Sequence, residues 1–187
     1  MLSSTKRLNQ ELISDSKESE PMKSTENILV ELLKNDGKTI ATCESCTGGL
    51  ISKLITSVSG ASSVFGYGVC SYANEAKMKL LGVKEQTLTL HGAVSEETAT
   101  EMALGMLKLS GADIAISTTG IAGPTGGTTE KPVGLVYAAI AADSGRYTKC
   151  IKMLLATPGS DRESIRSAAA ERAMSLAVEY LKNESER

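Results

Sequence analysis

The chain alternates short apolar runs with segments whose apolar residues recur every three or four positions, the pattern of strands interleaved with amphipathic helices. Helical spacing begins at Thr25, read as an N-cap, with Ile28, Leu29, Leu32 and Leu33 on one face and Gly37 as a stop. Thr39 to Cys43 reads as a strand. It runs into CESCTGG, after which Leu50, Ile51, Leu54, Ile55 and Val58 predict a second helix, so Ser45 falls where a strand gives way to a helix. SGASS marks a loop, and Val64 to Tyr72 predicts a strand whose glycines imply a bend or close backbone approach. Asn74 is expected to cap a short helix ending at Leu81. A polar connection follows, and Ser95 then caps a helix from Glu96 to about Leu109, with Ala99, Met102, Ala103 and Met106 as its core face.

Ile114 to Thr119 predicts a further strand, followed by the glycine-rich segment GIAGPTGGTTEKPVG and an apolar strand from Val133 to Ala141. ADSGR predicts a hairpin turn into a strand from Tyr147 to Leu155. A long helix starts at Ser160 or Asp161, with Ile165, Ala169, Leu176, Ala177 and Leu181 as its apolar stripe. Strands mixed with helices, without an internal repeat, indicate a layered α/β domain with an at least partly antiparallel sheet. Residues 1–22 are polar and read as a flexible tail, in which a short helix from Met1 to Ser14 has no clear partner. The folded domain is expected over residues 23–187.

With 187 residues, 41% hydrophobic and 22% charged, the chain is long enough to bury a core without metals or disulfides. A net charge of -2 and the lack of a dense Lys/Arg run argue against nucleic acid as a partner, and one Phe, five Tyr and no Trp make a poor stacking platform. A small molecule is the better fit. No apolar stretch reaches the roughly 18 to 20 residues of a membrane span, and no signal-peptide run opens the chain, so a cytosolic protein without a membrane partner is expected. Cys43, Cys46, Cys70 and Cys150 are too sparse for a disulfide framework and are expected to be reduced.

Several segments carry candidate chemistry. In CESCTGG, Ser45 reads locally either as a helix cap or as a nucleophile whose oxyanion would rest on the N–H groups that follow it. A serine nucleophile needs a base, and the single histidine, His91, lies in the polar connection. The alternative is a lysine made neutral by burial, for which Lys77 in SYANEAK is the candidate. The loop from Gly120 to Gly134 suits a phosphate or ribose, though it matches neither the P-loop nor the Rossmann spacing. Arg162 and Arg166, four apart at a helix start, form either a phosphate clamp or an exposed ion-paired face with Asp161 and Glu163. Cys43 and Cys46 form a C-x-x-C at a strand-to-helix junction, which leaves thiol redox chemistry as an alternative, while no second C-x-x-C supports a zinc site.

These segments together resemble the nicotinamide-nucleotide amidase family, also called the CinA C-terminal domain. ESCTGG at Glu44 to Gly49, SYANEAK at Ser71 to Lys77, HGAVSEET at His91 to Thr98 and TGIAGPTGG with EKPVG at Thr119 to Gly134 carry the resemblance, which spans roughly Glu26 to Leu181. It implies a three-layer α/β/α sandwich with a mixed parallel/antiparallel sheet, and hydrolysis of nicotinamide mononucleotide to nicotinate mononucleotide and ammonia in pyridine nucleotide salvage, without a metal or cofactor. It also implies Ser45 as nucleophile, Lys77 as general base and Tyr72 as a residue that assists proton transfer or orients the Ser and Lys groups. Substrate contacts would come from Cys46, Thr47, Gly48, Gly49, Gly120, Gly123, Gly126, Gly127 and Arg162, with room left for a homodimer. Cys43 stands where the motif commonly has Ala. The larger N-terminal domain of many family members has no counterpart here, so a standalone form is expected. A non-catalytic nucleotide-binding module linked to competence or DNA damage remains the competing reading.

Overall fold

A computed structural model describes residues 23–185, so the expected tail with its Met1–Ser14 helix lies outside the described residues. Five strands form one sheet in the order β2-β1-β3-β4-β5: β1 (Ile40–Glu44), β2 (Phe65–Cys70), β3 (Ile114–Gly120), β4 (Leu135–Ala142) and β5 (Tyr147–Leu154). β1 runs parallel to both β2 and β3, whereas β3, β4 and β5 pair antiparallel in sequence. The sheet is therefore mixed, as the strand and helix pattern implies.

Helices α1 (Thr25–Asn35), α2 (Leu50–Thr56) and α6 (Arg162–Ser185) cover one face of the sheet, and α3 (Asn74–Leu81), α4 (Glu85–His91) and α5 (Glu96–Ser110) form the other layer. The strand period of two sorts side chains between the layers. Ile114, Ile116, Val136, Ala138 and Ile140 join the cluster under α1 and α6, while Ala41, Cys43, Ala115, Ala139 and Ala141 face α5. Small residues on that second face let α5 sit close to the sheet. Gly105 does the same on the outer side of α5, where a Cβ would lie 1.7 Å from the Leu81 carbonyl oxygen. The central strands β1, β3 and β4 are buried on both faces, and the edge strands β2 and β5 are largely exposed.

Several boundaries differ from expectation for identifiable reasons. Ser24, not Thr25, precedes the first helical turn, and Asn74 opens α3 after Ala73 instead of capping it. The polar connection after Leu81 contains α4, which buries only Thr87 and so leaves no apolar stripe. Glu101 of α5 holds this helix from outside, accepting from Lys84 N–H at 2.8 Å and from the Thr87 hydroxyl at 2.8 Å. The SGASS loop includes a 3-10 turn at Ala61–Ser63, and the turn before β5 is another at Asp143–Gly145. Ser95 caps α5 as expected, its hydroxyl accepting from Thr98 N–H.

The topology places a crevice at the carboxyl ends of β1 and β3. The chain leaves β1 through α2 on one face and returns from β2 to β3 through α3, α4 and α5 on the other. Where successive connections depart to opposite faces, the strand ends are left open to a ligand.

Candidate active site

Ser45 follows β1 directly and extends its pairing, its N–H donating to the Thr118 carbonyl at 2.9 Å. The chain then turns through Gly48 and Gly49, both with positive φ (60° and 94°), into α2. An L side chain is strained in that conformation, which accounts for the two glycines. Cys46 and Thr47 N–H groups donate to no oxygen among the described residues and lie against the Cys46 thiol.

Glu44 controls this turn. As the last residue of β1 its side chain points to the α2 side of the sheet, where it is fully buried. One carboxylate oxygen accepts from Gly49 N–H (2.9 Å) and Ile51 N–H (3.1 Å), and the other from Ser52 N–H (2.9 Å) and the Ser52 hydroxyl (2.7 Å). The first N–H groups of α2 are thereby satisfied by protein. They are not available to an anion, so the helix start itself is no phosphate or oxyanion site. The Cys46, Thr47 and Gly48 N–H groups, ahead of the helix, are the donors left in the turn among the described residues.

Lys77 approaches from α3 and is 1% exposed, against 8% for Ser45. Its Nζ lies 2.9 Å from Ser45 Oγ, 2.8 Å from the Ser71 carbonyl and 3.1 Å from the Tyr72 carbonyl. These carbonyls belong to the turn between β2 and α3, held to β1 by the Ser71 N–H donating to the Glu44 carbonyl at 2.9 Å. A neutral amine has two N–H donors and one lone pair, so two carbonyls can hold the donors while the lone pair faces Ser45 Oγ. An ammonium places its third N–H on the same oxygen. Both protonation states are satisfied, which suits a group that takes and returns a proton.

Burial lowers the Lys77 pKa from its usual value, and only the negative charges of Cys46 and Cys43 would raise it. Both thiols are themselves raised by burial, Cys46 to about 11 and Cys43 well above its ordinary value. At neutral pH they are uncharged and leave the effect of burial unopposed. The same two cysteines fall in different core clusters, Cys43 on the α5 side of the sheet and Cys46 on the α6 side. Raised thiols on opposite faces are the reverse of what a thiol redox pair requires.

A cavity of about 260 Å³ opens over Ser45 and Lys77. It brings together Cys46, Tyr72, Gly120, Gly123, Gly126 and Arg162 from the expected residues. Thr47, Gly48, Gly49 and Gly127 do not line it. Gly49 gives its N–H to Glu44, and Gly127 packs where a Cβ would lie 2.7 Å from the Val133 nitrogen. Thr47 is buried, its hydroxyl 2.7 Å from that of Thr118. Ala93 and Val94, which belong to the HGAVSEET motif but are given no role in the sequence, line it from the α4–α5 connection. Apolar side chains in a loop carry no chemical signal of their own.

Arg162 donates to the Gly123 carbonyl at 2.7 Å and to Tyr72 Oη at 3.3 Å, spanning from the start of α6 to the glycine-rich loop and the β2–α3 turn. Tyr72 is 66% exposed at this rim. Arg166 is directed elsewhere, one guanidinium nitrogen donating to the Thr47 carbonyl at 2.6 Å and the other pairing with Glu163 at 2.7 Å. It braces the Ser45 turn from behind and does not line the cavity. His91 ends α4, with Nδ1 3.2 Å from a Glu97 carboxylate oxygen, and is also outside the lining.

The family model of the CinA C-terminal domain matches residues 22–181. A CinA-like protein of Kosmotoga olearia is 54% identical over 147 residues, covering 79% of this chain and 34% of that protein. A CinA-like protein of Syntrophomonas wolfei is 52% identical over 157 residues, covering 84% of this chain and 36% of that protein. The chain thus spans about a third of the length of these curated relatives. Among solved structures, the competence/damage inducible protein CihA from Agrobacterium tumefaciens superposes with a TM-score of 0.79 at 40% identity, covering 84% of this chain and 95% of that one. A CinA superfamily protein from Klebsiella pneumoniae gives 0.79 at 33% identity, covering 86% and 99%. With its fold, its motifs and nearly all of its described residues inside that match, the chain belongs to the CinA C-terminal domain family.

Proposed function

We propose that the protein is an amidohydrolase that converts nicotinamide mononucleotide to nicotinate mononucleotide and ammonia with a Ser45–Lys77 pair. The observation that carries this reading is the buried Lys77 amine 2.9 Å from Ser45 Oγ, with carbonyls and, among the described residues, no carboxylate as its other partners. A carboxylate partner would favour the ammonium and remove the base.

In the proposed reaction Ser45 Oγ attacks the carboxamide carbon as its proton passes to the Lys77 lone pair. The developing oxyanion takes the Cys46 N–H, the cavity-lining donor of this turn that Glu44 leaves free. Lys77 then gives its proton to the departing nitrogen, ammonia leaves, and an acyl ester on Ser45 remains. A water, deprotonated by the same amine, attacks the ester and the acid departs as Ser45 recovers its proton. Arg162 exchanges its contacts with the Gly123 carbonyl and Tyr72 Oη for the substrate phosphate, with Gly120, Gly123 and Gly126 lining the approach. Until the phosphate arrives, Tyr72 orients the guanidinium through its hydroxyl. Phosphate binding remote from the amide holds the reacting carbon in place.

The test is ammonia release from nicotinamide mononucleotide by wild type, Ser45→Ala, Lys77→Ala and Cys43→Ala, each with and without a chelator. Activity is expected in wild type and Cys43→Ala alone, unaffected by chelation. A silent wild type rejects the amidase, and full activity in Ser45→Ala rejects this nucleophile.

A further inference from the structure

The side of the cavity formed by Ala93 and Val94 is held in place by a cation that contacts neither Ser45 nor Lys77. Lys131 Nζ donates to the His91 carbonyl at 2.6 Å and to the Val94 carbonyl at 2.8 Å. Gly92, between them, has φ +74°, and a Cβ there would stand 3.2 Å from the same Nζ. The intervening carbonyls are also taken from the protein side. Thr119 donates its hydroxyl to the Ala93 carbonyl at 2.6 Å, and the Ser95 and Thr98 hydroxyls reach the Gly92 carbonyl at 3.1 and 2.8 Å.

The base from which Lys131 reaches is itself fixed. Its N–H donates to the Thr128 hydroxyl at 3.0 Å and its carbonyl accepts from Thr128 N–H at 2.8 Å. Pro132 follows, which restricts the Lys131 backbone to extended conformations. Among the described residues no carboxylate pairs with Lys131. Its charge is directed to two carbonyls at the end of α4 and just beyond, where a cation is favoured. The β3–β4 loop, which supplies Gly123 and Gly126 to one part of the cavity, is thus tied to the α4–α5 connection, which supplies Ala93 and Val94.

Resting on the amidase reading of the site, we propose that Lys131 is a positioning residue: its ammonium holds the His91 and Val94 carbonyls and so sets Ala93 and Val94 against the planar, amide-bearing ring of the substrate. It takes no proton and touches no reacting atom. Its loss weakens ring binding and leaves the Ser45–Lys77 pair intact.

The experiment compares wild type, Lys131→Met and Lys131→Arg in nicotinamide mononucleotide hydrolysis and in amide hydrogen exchange at Gly92, Thr98 and Ala99. Lys131→Met is expected to raise KM about tenfold with kcat within about threefold. Its exchange at these amides is expected to be about tenfold faster through local opening. Lys131→Arg, able to bridge two carbonyls, restores both readouts. An unchanged KM in an active enzyme, or a fall in kcat with KM unmoved, overturns the positioning role. A wild type inactive on nicotinamide mononucleotide rejects the amidase reading separately, and the exchange result then decides whether Lys131 is the strut, unchanged exchange rejecting it.

Discussion

Two helices begin beside the cavity, and their N-termini are capped in different ways. α2 starts under a fully buried carboxylate, Glu44, which takes three backbone N–H groups and a hydroxyl. α6 starts behind an exposed cap: Asp161 Oδ1 accepts from Ser164 N–H at 2.7 Å, and the Ser164 hydroxyl lies 2.9 Å from Asp161 N–H. The α2 start is thereby closed to an anion, whereas the α6 cap takes up the Ser164 N–H. At α2 the cap shapes the turn that carries Ser45. At α6 it only begins a long helix, and the chemistry at that end is left to the Arg162 side chain. In the proposed reaction, negative charge on the substrate is met by the Arg162 guanidinium and by an N–H ahead of α2, not by the α2 dipole.

The largest effect is expected in the first region. Ser45→Ala removes the proposed nucleophile and should lower ammonia release by roughly 10³-fold or more, within the range that loss of nucleophilic and acid–base catalysis spans. The pH dependence of wild-type kcat/KM identifies the partner. Because burial lowers the Lys77 pKa, the neutral amine becomes populated below the usual lysine range, and activity should rise with pH through that lowered pKa. Linkage has the same sign: between the folded and unfolded pKa values the unfolded chain binds more protons, so stability also rises with pH in that window. A rate that falls with rising pH throughout that window would be incompatible with Lys77 as the base.

Glu44→Gln is the next step down and tests the cap itself. A carboxylate accepts four hydrogen bonds here, whereas an amide turns an NH2 group toward N–H donors and leaves some of them unsatisfied. A buried donor without a partner costs about 1 to 3 kcal/mol. A loosened Ser45 turn should lower kcat by roughly 10- to 100-fold, since small misplacements of reacting groups slow the chemistry steeply. Chemical denaturation and kcat measured on the same variant check both parts. Wild-type stability and rate in Glu44→Gln would reduce the carboxylate to an incidental neighbour.

The two helix starts also differ in how far sequence alone exposes them. The strand-to-helix position of Ser45, the core face of α5 and the long last helix follow from apolar spacing, because each element buries one regular stripe. Glu44 is visible in the sequence only as one letter of a motif. Its capping role depends on the strand period directing its side chain toward α2 and on a turn short enough for the carboxylate to reach N–H groups five to eight residues ahead. Arg162 and Arg166 look equivalent in sequence, being four apart, yet one lines the cavity and the other braces Thr47. Tertiary contacts separate them, and spacing cannot. The short α4 is hidden for the same reason, since its support comes from Glu101 of another helix.

At the α6 start the expected effects are smaller and fall on binding. Arg162→Lys keeps the charge but loses the fork that reaches the Gly123 carbonyl and Tyr72 Oη together. KM for nicotinamide mononucleotide should rise about tenfold, with kcat less affected, if the side chain binds a phosphate remote from the amide. Steady-state kinetics with the nucleoside nicotinamide riboside, which lacks the phosphate, sharpens the point. Wild type and Arg162→Lys should handle that substrate alike.

The smallest effect is expected from Asp161→Asn, which repeats at α6 the amide exchange made at α2. The Asp161 pKa is lowered, first by the Ser164 N–H and then by the Ser164 hydroxyl. A carboxylate whose folded pKa lies below its unfolded value contributes stability above the unfolded value, and that contribution is lost as pH falls through the folded one. Asparagine still offers a carbonyl oxygen to Ser164 N–H and caps helices about as well as aspartate. At neutral pH the variant should match wild type in thermal midpoint and in KM. The two should part only in acid, where wild type protonates its cap and the amide, which does not titrate, keeps its own. The same chemical change is thus severe where the carboxylate is buried with four donors and nearly silent where it is solvated with a replaceable one. A large loss of activity in Asp161→Asn at neutral pH would show that the α6 start takes part in the site through more than the reach of Arg162.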